Sequence, residues 1–423
     1  MAVIIIDISV IRIYDYISKF FIPTSDREVF FVVVSVTCLA AQFTLIEFVS
    51  PLRNTQERKT KLHTRLIFQV TKLIQYALGV IIIYIILQML LSSSYSTINL
   101  VVVILCSYIL SIGILGVFIA RMLGLLAFRR EMLVLILFVL AIVSITANIL
   151  ITLVDVSLRL LEKPTTTRVM LAGSMDISKG KFNVLDNLYF ISYLISFITA
   201  WIATATLLHH YSLRIGKLKY WLIVSIPMIL FTAQFIPSYT TALFPSVKFD
   251  PFFIATMVTI IATISKFIAG FMLAIGFWTM ARVVNKNSPI RRYLIFAGFG
   301  FFLLFSSNQA ILMSIAPYPP FGIVTVTVMG LAAYLVVIGL YTSTISMSQN
   351  TELRRSIRHL ARSQTRLFDT MVTAESAKEI EKRVLELIKK QSVEMETRTG
   401  VGSSLDDQEA KRYIEEIIRE IKK

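Results

Sequence analysis

Long apolar runs alternate with short polar gaps along most of this chain. The runs hold about 20 or more residues each, and they lie near 28–49, 70–91, 98–120, 132–154, 186–208, 219–237, 253–281, 293–314 and 322–345. About 20 apolar residues form a helix that crosses the hydrocarbon core, where every backbone N–H and C=O must be satisfied inside the segment. The pattern predicts an all-α protein, a polytopic transmembrane helix bundle of about nine spans within residues 27–346.

Basic residues are concentrated in every second gap between the runs. The gaps after spans one, three, five and seven include Arg53, Arg58, Arg129, Lys217 and Arg291, whereas the gaps after spans two and eight hold no Lys or Arg. Cytoplasmic loops carry the excess of Lys and Arg in membrane proteins. We therefore expect a multi-pass protein of the cell membrane with its N-terminus outside and its C-terminus in the cytoplasm.

The composition agrees with a membrane protein. Hydrophobic residues make up 56% of the 423 residues and charged residues only 16%, against roughly 25% in soluble domains. The net charge of +16 follows the membrane topology, so it predicts contact with the lipid bilayer and not with nucleic acid. The two cysteines, Cys38 and Cys106, lie in apolar runs, which excludes a disulfide framework. No catalytic, cofactor or metal motif is present, so no enzymatic activity is predicted.

The first 26 residues differ from the spans because charges interrupt their apolar pattern. Asp7, Arg12, Asp15 and Lys19 recur at near-helical spacing among isoleucines. This spacing is typical of an amphipathic helix, which we expect to lie in the outer membrane interface over residues 1–26. A disordered or cleaved leader is the alternative.

Polar residues within the spans are the candidates for a functional site, because ionisable and amide groups are costly at membrane depth. Lys266 lies in the middle of span seven, in a polar stripe with Thr259, Thr263 and Gly270. Gln42 lies in span one, Asn148 in span four and Asn308 in span eight. We expect these side chains to line one polar cavity, with Lys266 as its most unusual member. The alternative is that they form ordinary hydrogen bonds between packed helices.

The last 77 residues have a different pattern, with many charges of both signs. Apolar residues at alternating steps of four and three over 347–397 predict a cytoplasmic helix of the coiled-coil type, with a slip in the register near residue 377. The predicted seam consists of Leu353, Ile357, Leu360, Leu367, Met371, Ile380, Val384 and Leu387. Residues 398–423 predict a loop and a short terminal helix. Pairing of two tails would give a homodimer, and the basic residues nearest the membrane would also suit anionic lipid.

Two resemblances accompany this tail. A membrane bundle that leads into a coiled helix resembles the sensing half of histidine-kinase receptors, and the stretch from His359 to Arg362 is partly similar to their phosphoacceptor box. No ATP-binding domain follows it in this sequence, so we do not expect autophosphorylation. The stretches Ser343 to Gln349, Leu353 to Arg358 and Thr399 to Val401 resemble multispanning membrane proteins of ammonia-oxidising archaea. The second resemblance implies an archaeal lineage and no catalytic activity.

Together these features predict a sensor-like or scaffold protein whose bundle is coupled to a cytoplasmic partner through the tail. The alternative is a secondary transporter or channel with Lys266 in its pathway. The sequence does not indicate a ligand.

Overall fold

The computed structural model describes residues 24–56, 62–92, 94–128, 133–162, 167–169, 182–210, 216–233, 267–268, 270–282, 289–308 and 319–343. Nearly all of these residues are helical. The helices are α1 (Thr24–Gln56), α2 (Leu62–Ser92), α3 (Thr97–Phe128), α4 (Leu133–Glu162), α5 (Phe182–His210), α6 (Lys217–Ala233), α7 (270–282), α8 (Pro289–Ser307) and α9 (Ile323–Ser343). Two short strands, β1 (Ser94–Ser96) and β2 (Thr167–Val169), complete the described fold.

Seven of these helices are long and apolar enough to cross a membrane, namely α1 to α5, α8 and α9. The prediction of a multi-pass helical membrane protein is therefore confirmed at that level. The sixth and seventh predicted spans fall on α6, which has 17 residues, and on α7, of which only part is described. Residues 1–23 and 344–423 lie outside the described part of the chain, and with them the predicted interfacial helix, the coiled-coil seam and the terminal helix.

The helices divide into an outer shell and an interior. Large apolar side chains that are exposed come from α1 to α6, for example Leu73 and Leu91, and none comes from the described residues of α7 to α9. In α9, 89% of the residues of its most apolar segment are buried, compared with 39% in α1 and α2. The exposed apolar faces of α1 to α6 suit contact with lipid tails, whereas α9 is enclosed by protein.

Helices α8 and α9 pack closely through glycine. A methyl group placed on Gly300 of α8 would lie 2.5 Å from the backbone nitrogen of Val336 in α9. Gly339 of α9 approaches the backbone of Ala297 in α8 in the same way. Small residues let membrane helices approach until their backbones touch, which increases van der Waals contact where no hydrophobic effect drives association.

Aromatic contacts sort the helix ends into two groups. At one end of the bundle, odd-numbered helices finish and even-numbered helices begin. This end holds the C-terminal parts of α1, α3, α5, α7 and α9 and the N-terminal parts of α2, α4, α6 and α8. The contacts that show this are Phe48 with Phe296, Phe68 with Tyr334, Phe118 with Tyr341, Phe138 with Phe277, and His209 with Tyr220. We call this end the tail end, because α9 finishes there.

The opposite end, which we call the sheet end, contains the two strands. Strand β1 precedes α3, and strand β2 follows α4. The two strands pair antiparallel, with Tyr95 opposite Arg168. The turn before α9 also lies here, where Phe321 packs against Phe31 at 5.3 Å between ring centroids. Gly322 follows with φ of 85°, a backbone conformation that favours glycine, and α9 begins at the next residue.

Helix α6 contains Pro227, as the sequence shows, and this residue removes one backbone donor from the helix. Trp201 of α5 donates a hydrogen bond from Nε1 to the carbonyl of Val224, one turn before the proline, at 2.8 Å. Neighbouring helices commonly satisfy carbonyls near a proline in a membrane helix. This bond is a second link between α5 and α6, in addition to the contact between the rings of His209 and Tyr220.

Candidate functional site: two buried amide clusters

Helix α8 ends inside the bundle at an asparagine pair. Ser307 is the last helical residue, and Asn308 follows it with only 9% of its surface exposed. Asn308 donates a hydrogen bond from Nδ2 to Oδ1 of Asn148 in α4, at 2.6 Å. Asn148 is itself 1% exposed, so both amides lie away from lipid and water.

Groups from α3 and α5 surround this pair. Tyr108 donates from its hydroxyl to Asn308 Oδ1 at 3.2 Å, and the Tyr189 hydroxyl donates to the Asn308 backbone carbonyl at 3.5 Å. Asn148 donates from Nδ2 to the Tyr189 carbonyl at 3.2 Å and to Ser192 Oγ at 2.7 Å. We call Tyr108, Asn148, Tyr189, Ser192 and Asn308 the asparagine cluster; it joins α3, α4, α5 and α8.

The asparagine cluster lies well below the sheet end. At 1.5 Å per residue, Tyr108 is about 16 Å along α3 from its first residue, Thr97, and Asn148 is about 21 Å from the last residue of α4, Glu162. A helix that ends at this depth leaves backbone carbonyls that no water can satisfy. The Leu304 carbonyl accepts from the Asn308 backbone N–H at 3.2 Å, and the Tyr189 hydroxyl donates to the carbonyl of Asn308 itself.

A second cluster of amides joins α1, α2 and α9. Gln42 donates from Nε2 to Thr327 Oγ1 at 2.9 Å and to the Val324 carbonyl at 3.2 Å. Gln75 donates from Nε2 to Gln42 Oε1 and, at 3.2 Å, to the Thr327 carbonyl. We call Gln42, Gln75 and Thr327 the glutamine cluster. Because backbone carbonyls only accept hydrogen bonds, they fix which end of each amide is nitrogen.

The glutamine cluster leaves one acceptor over. Gln75 Oε1 is buried and has no hydrogen-bond partner among the described residues. Ser35 Oγ, which lies two turns before Gln42 on α1, is also buried and also has no partner among them. Burying a polar atom without a partner costs about 1–3 kcal/mol.

Three of the residues that the sequence analysis grouped into one cavity are described, and they belong to two different hydrogen-bond clusters. Asn148 and Asn308 are directly bonded, whereas Gln42 belongs to the glutamine cluster. None of the hydrogen bonds between described residues links Gln42 to either asparagine. Thr259, Thr263 and Lys266 lie outside the described residues.

Gly270, the fourth residue of the predicted polar stripe, is described and faces α8. A methyl group placed on it would lie 2.9 Å from Cβ of Phe305, and the neighbouring Phe267 ring packs edge-on against Phe302 at 4.9 Å. Phe305 is three residues before Asn308. This end of the stripe therefore points into the protein interior and toward the helix that ends in the asparagine cluster.

Several cluster members were not singled out from the sequence. Gln75 lies in the apolar run of span two, and an amide in that run was a signal of the same kind as Gln42. Tyr108, Tyr189 and Ser192 gave no such signal, because tyrosine and serine are common in membrane helices for other reasons. Asp155 of α4 is fully buried two turns beyond Asn148.

The chemistry of both clusters is that of neutral donors and acceptors. In the described part of the chain, no group of three His, Cys, Asp or Glu side chains is arranged to hold a metal ion. Amides and hydroxyls bind through hydrogen bonds, so these clusters fix helix positions or hold an uncharged polar molecule. They supply neither a strong base nor a strong acid.

Comparisons with protein-family models, with curated proteins and with solved structures find no match. The functional argument therefore depends on the geometry of this chain. Its two clusters have one property in common: each ties an interior helix, α8 or α9, to helices of the outer shell.

Proposed function

We propose that this chain is a sensor-like or scaffold membrane protein that couples its bundle to a cytoplasmic partner through residues 347–423. The observation behind the proposal is the burial of α9, the last described helix before that tail. The turn before α9 packs against α1 through Phe321 and Phe31, and α9 itself contacts α1 and α2 through the glutamine cluster and α8 through Gly339. A rearrangement of any of these helices must displace α9 or break its packing, because packed interiors transmit strain.

The tail end is the cytoplasmic end in this proposal. Among residues whose side chains the structure describes, the tail end carries Lys72, Arg121, Lys217, Lys219, Arg282, Arg291 and Arg292, with Glu47 as its acidic residue. Within the same set of described side chains the sheet end carries Glu28 and Asp155, and strand β2 adds Arg168 at that end. This asymmetry supports an outside N-terminus and a cytoplasmic C-terminus by the positive-inside rule. The alternating helix ends support nine crossings, with the tail and the start of α1 on opposite faces.

Arg121 links the tail end directly to α9. Its side chain hydrogen-bonds with Tyr341, two residues before the last described helical residue, and the Phe118 ring packs against the same tyrosine at 6.4 Å between centroids. The C-terminal part of α3 therefore contacts the last described turn of α9. In the proposed mechanism, a small shift of α9 changes the twist of the paired tail helices beyond it.

The test is the mass of the protein in detergent, measured for three forms. We expect the full chain to be a dimer, the form lacking residues 347–423 to be a monomer, and the form lacking only 398–423 to remain a dimer. The shorter deletion is the control for loss of charge and length. A full chain that is monomeric, or a dimer that survives the longer deletion, would remove the tail from the proposal.

A second candidate function is transport with Lys266 in the pathway, and the packing of Gly270 against α8 favours it. Lys266 precedes Gly270 by one helical turn in the sequence. Purified protein in liposomes should then conduct an ion or solute, and Lys266→Met should abolish that flux while Lys266→Arg retains part of it. Equal thermal stability of the variants would show that folding is intact. Absence of flux for a panel of common ions and small solutes would count against transport.

A further inference from the structure

One face of α7 is open along the gap between α6 and α8. Gly276 marks the side of α7 that meets α6, because a methyl group placed on it would lie 3.9 Å from Cγ2 of Ile223. Trp278 marks the side that meets α8, since its ring packs against Phe299 at 5.0 Å between centroids. The residues between these two sides, each half-buried or exposed, are Met272, Ile275, Thr279 and Arg282. They follow one another at steps of three or four and form the floor of a groove, which we call the α7 groove.

Helix α6 supplies one wall of the α7 groove. Lys219 precedes Ile223 by one turn, so it lies on the side of α6 that meets α7. Leu222 and Ile226 continue from Lys219 at steps of three and four. Lys219 and Leu222 are exposed and Ile226 is half-buried, so this wall is apolar with a lysine at its tail end.

Lys219 and Arg282 lie at nearly the same height in the bundle. Measured from the contact of Ile223 with Gly276, Lys219 is about 6 Å and Arg282 about 9 Å nearer the tail end, at 1.5 Å per residue. Packed helices lie about 8–10 Å apart, so these two long side chains can reach one group between them. In the described part of the chain, neither cation forms an ion pair or a hydrogen bond.

A third cation lies on the other wall of the groove. Arg292 of α8 is exposed, and it precedes Ile295 and Phe299 at steps of three and four on the side of α8 that meets Trp278. The tail end of the α7 groove is therefore positively charged across its full width.

The depth of the groove is apolar. Leu222, Ile226, Ile275 and Met272 line it below the cations, and the hydroxyl of Thr279 is satisfied within α7 by the Ile275 carbonyl at 2.7 Å. A molecule that fits this surface has an anionic group at one end and a long apolar part at the other.

An anionic lipid has both properties, and basic pockets between membrane helices bind anionic lipid head groups. We propose that the α7 groove binds one anionic phospholipid, with its phosphate between Lys219 and Arg282 and an acyl chain along Leu222, Ile226 and Ile275. This site is independent of the proposed role of the tail, because it requires only a bilayer with anionic lipid in the leaflet at the tail end. The bound lipid covers the open face of α7 and neutralises charge that the protein leaves unpaired.

Native mass spectrometry of the full chain tests the proposal, with phosphatidylglycerol and phosphatidylcholine of the same acyl chains as probes. We expect one phosphatidylglycerol to bind more tightly than phosphatidylcholine. Each basic residue at such a site changes Kd about fivefold, so Lys219→Gln and Arg282→Gln should each weaken phosphatidylglycerol binding about fivefold, and the double variant about 30-fold. The exchange of Lys219→Arg with Arg282→Lys keeps both charges and should keep the preference for phosphatidylglycerol.

Lys217→Gln is the matched control, because Lys217 is exposed on the same turn of α6 and points to a different side of the helix. We expect it to change binding much less than Lys219→Gln. Equal effects of these two variants would show that binding follows net charge, and equal Kd values for the two lipids would show that the phosphate site is absent; either result would overturn the proposal.

Two further outcomes assign the groove to another occupant. Glycerol 3-phosphate carries the anionic group without acyl chains and should not displace phosphatidylglycerol; full displacement would make this a site for free phosphate esters. A wild-type dimer that the double variant loses would make the groove an interface with a second copy. Equal Tm values of all variants in detergent show that the changes in binding do not come from misfolding.

Discussion

Carboxamide side chains make the hydrogen bonds between helices in both clusters. One amide supplies two donors and an acceptor without a charge, so Asn148 and Gln42 can each join more than two helices. A hydrogen bond between membrane helices contributes about 0.6 kcal/mol on average and up to about 1.7 kcal/mol. Several bonds on one residue therefore make that residue important to stability.

Asn148→Leu is predicted to destabilise the bundle by about 1–3 kcal/mol, since it removes two donated bonds and the acceptor of Asn308. Thermal unfolding in detergent should show a lower Tm. Ser144→Ala in the same helix is the matched control, because among the described residues its hydroxyl bonds to the Leu140 carbonyl one turn earlier and to no other helix. Equal Tm values for the two variants would show that the asparagine cluster adds nothing to stability.

Gln42 and Gln75 are predicted to be coupled, because Gln75 donates to Gln42 and both donate to α9. Gln42→Leu alone removes one of the two acceptors of Gln75 Nε2, and Gln75→Leu alone removes the donor to Gln42 Oε1. The double variant leaves neither amide, so its loss of stability should be smaller than the sum of the single losses, by about 0.5–2 kcal/mol. A double-mutant cycle of unfolding measures this difference. Strictly additive losses would contradict the hydrogen bond.

At the residue scale, the sequence predicted which polar side chains are unusual. It did not predict which of them form hydrogen bonds with one another. Asn148, Gln42 and Asn308 stood out because an amide in an apolar run needs a partner. Their assignment to two separate clusters depends on which helices are neighbours, and hydropathy carries no such information. Tyr108 and Tyr189 complete the asparagine cluster with hydroxyls that lie at the ends of otherwise apolar side chains.

Among the elements, α8 and α9 approach each other backbone to backbone at Gly300 and Gly339. Gly300→Ala would place a methyl group against the backbone of Val336, so the helices must separate and stability must fall. We expect a loss of about 1–3 kcal/mol, typical of overpacking in a well-packed interior. Gly113→Ala is the control, since no atom lies within 4 Å of a methyl group at that position. A stable Gly300→Ala protein would contradict the described packing.

The end of α8 shows why helix boundaries were harder to predict than helices. The apolar pattern extends the eighth span to residue 314, whereas α8 ends at Ser307. Hydropathy does not detect this end, because apolar residues continue beyond it. The sequence Ser306, Ser307, Asn308 supplies local acceptors and donors that compete with helical hydrogen bonds, and Asn308 finds its partners on three other helices.

The proposed orientation of the whole molecule in the membrane can be tested by cysteine labelling. Single cysteines at Ser92, on the sheet end, and at Lys217, on the tail end, would be placed in a chain from which Cys38 and Cys106 have been replaced. Both positions are exposed. A membrane-impermeant maleimide applied to intact cells should label Ser92→Cys, and Lys217→Cys should react only after permeabilisation. Labelling of both cysteines from the same side would contradict the placement of Ser92 and Lys217 at opposite ends of the bundle. The reverse pattern would invert the proposed orientation.

The central position of α9 has a consequence for the biogenesis of this protein. A ribosome makes the chain from the N-terminus, so α1 to α5 enter the bilayer well before residues 323–343 exist. Until then, Gln42 and Gln75 lack the α9 carbonyls and hydroxyl to which they bond. The shell must therefore remain open, with its polar amides held by water or by the insertion machinery, until synthesis is almost complete. A ribosome that stalls before residue 323 would leave an unclosed bundle, which membrane quality control can recognise by those exposed amides.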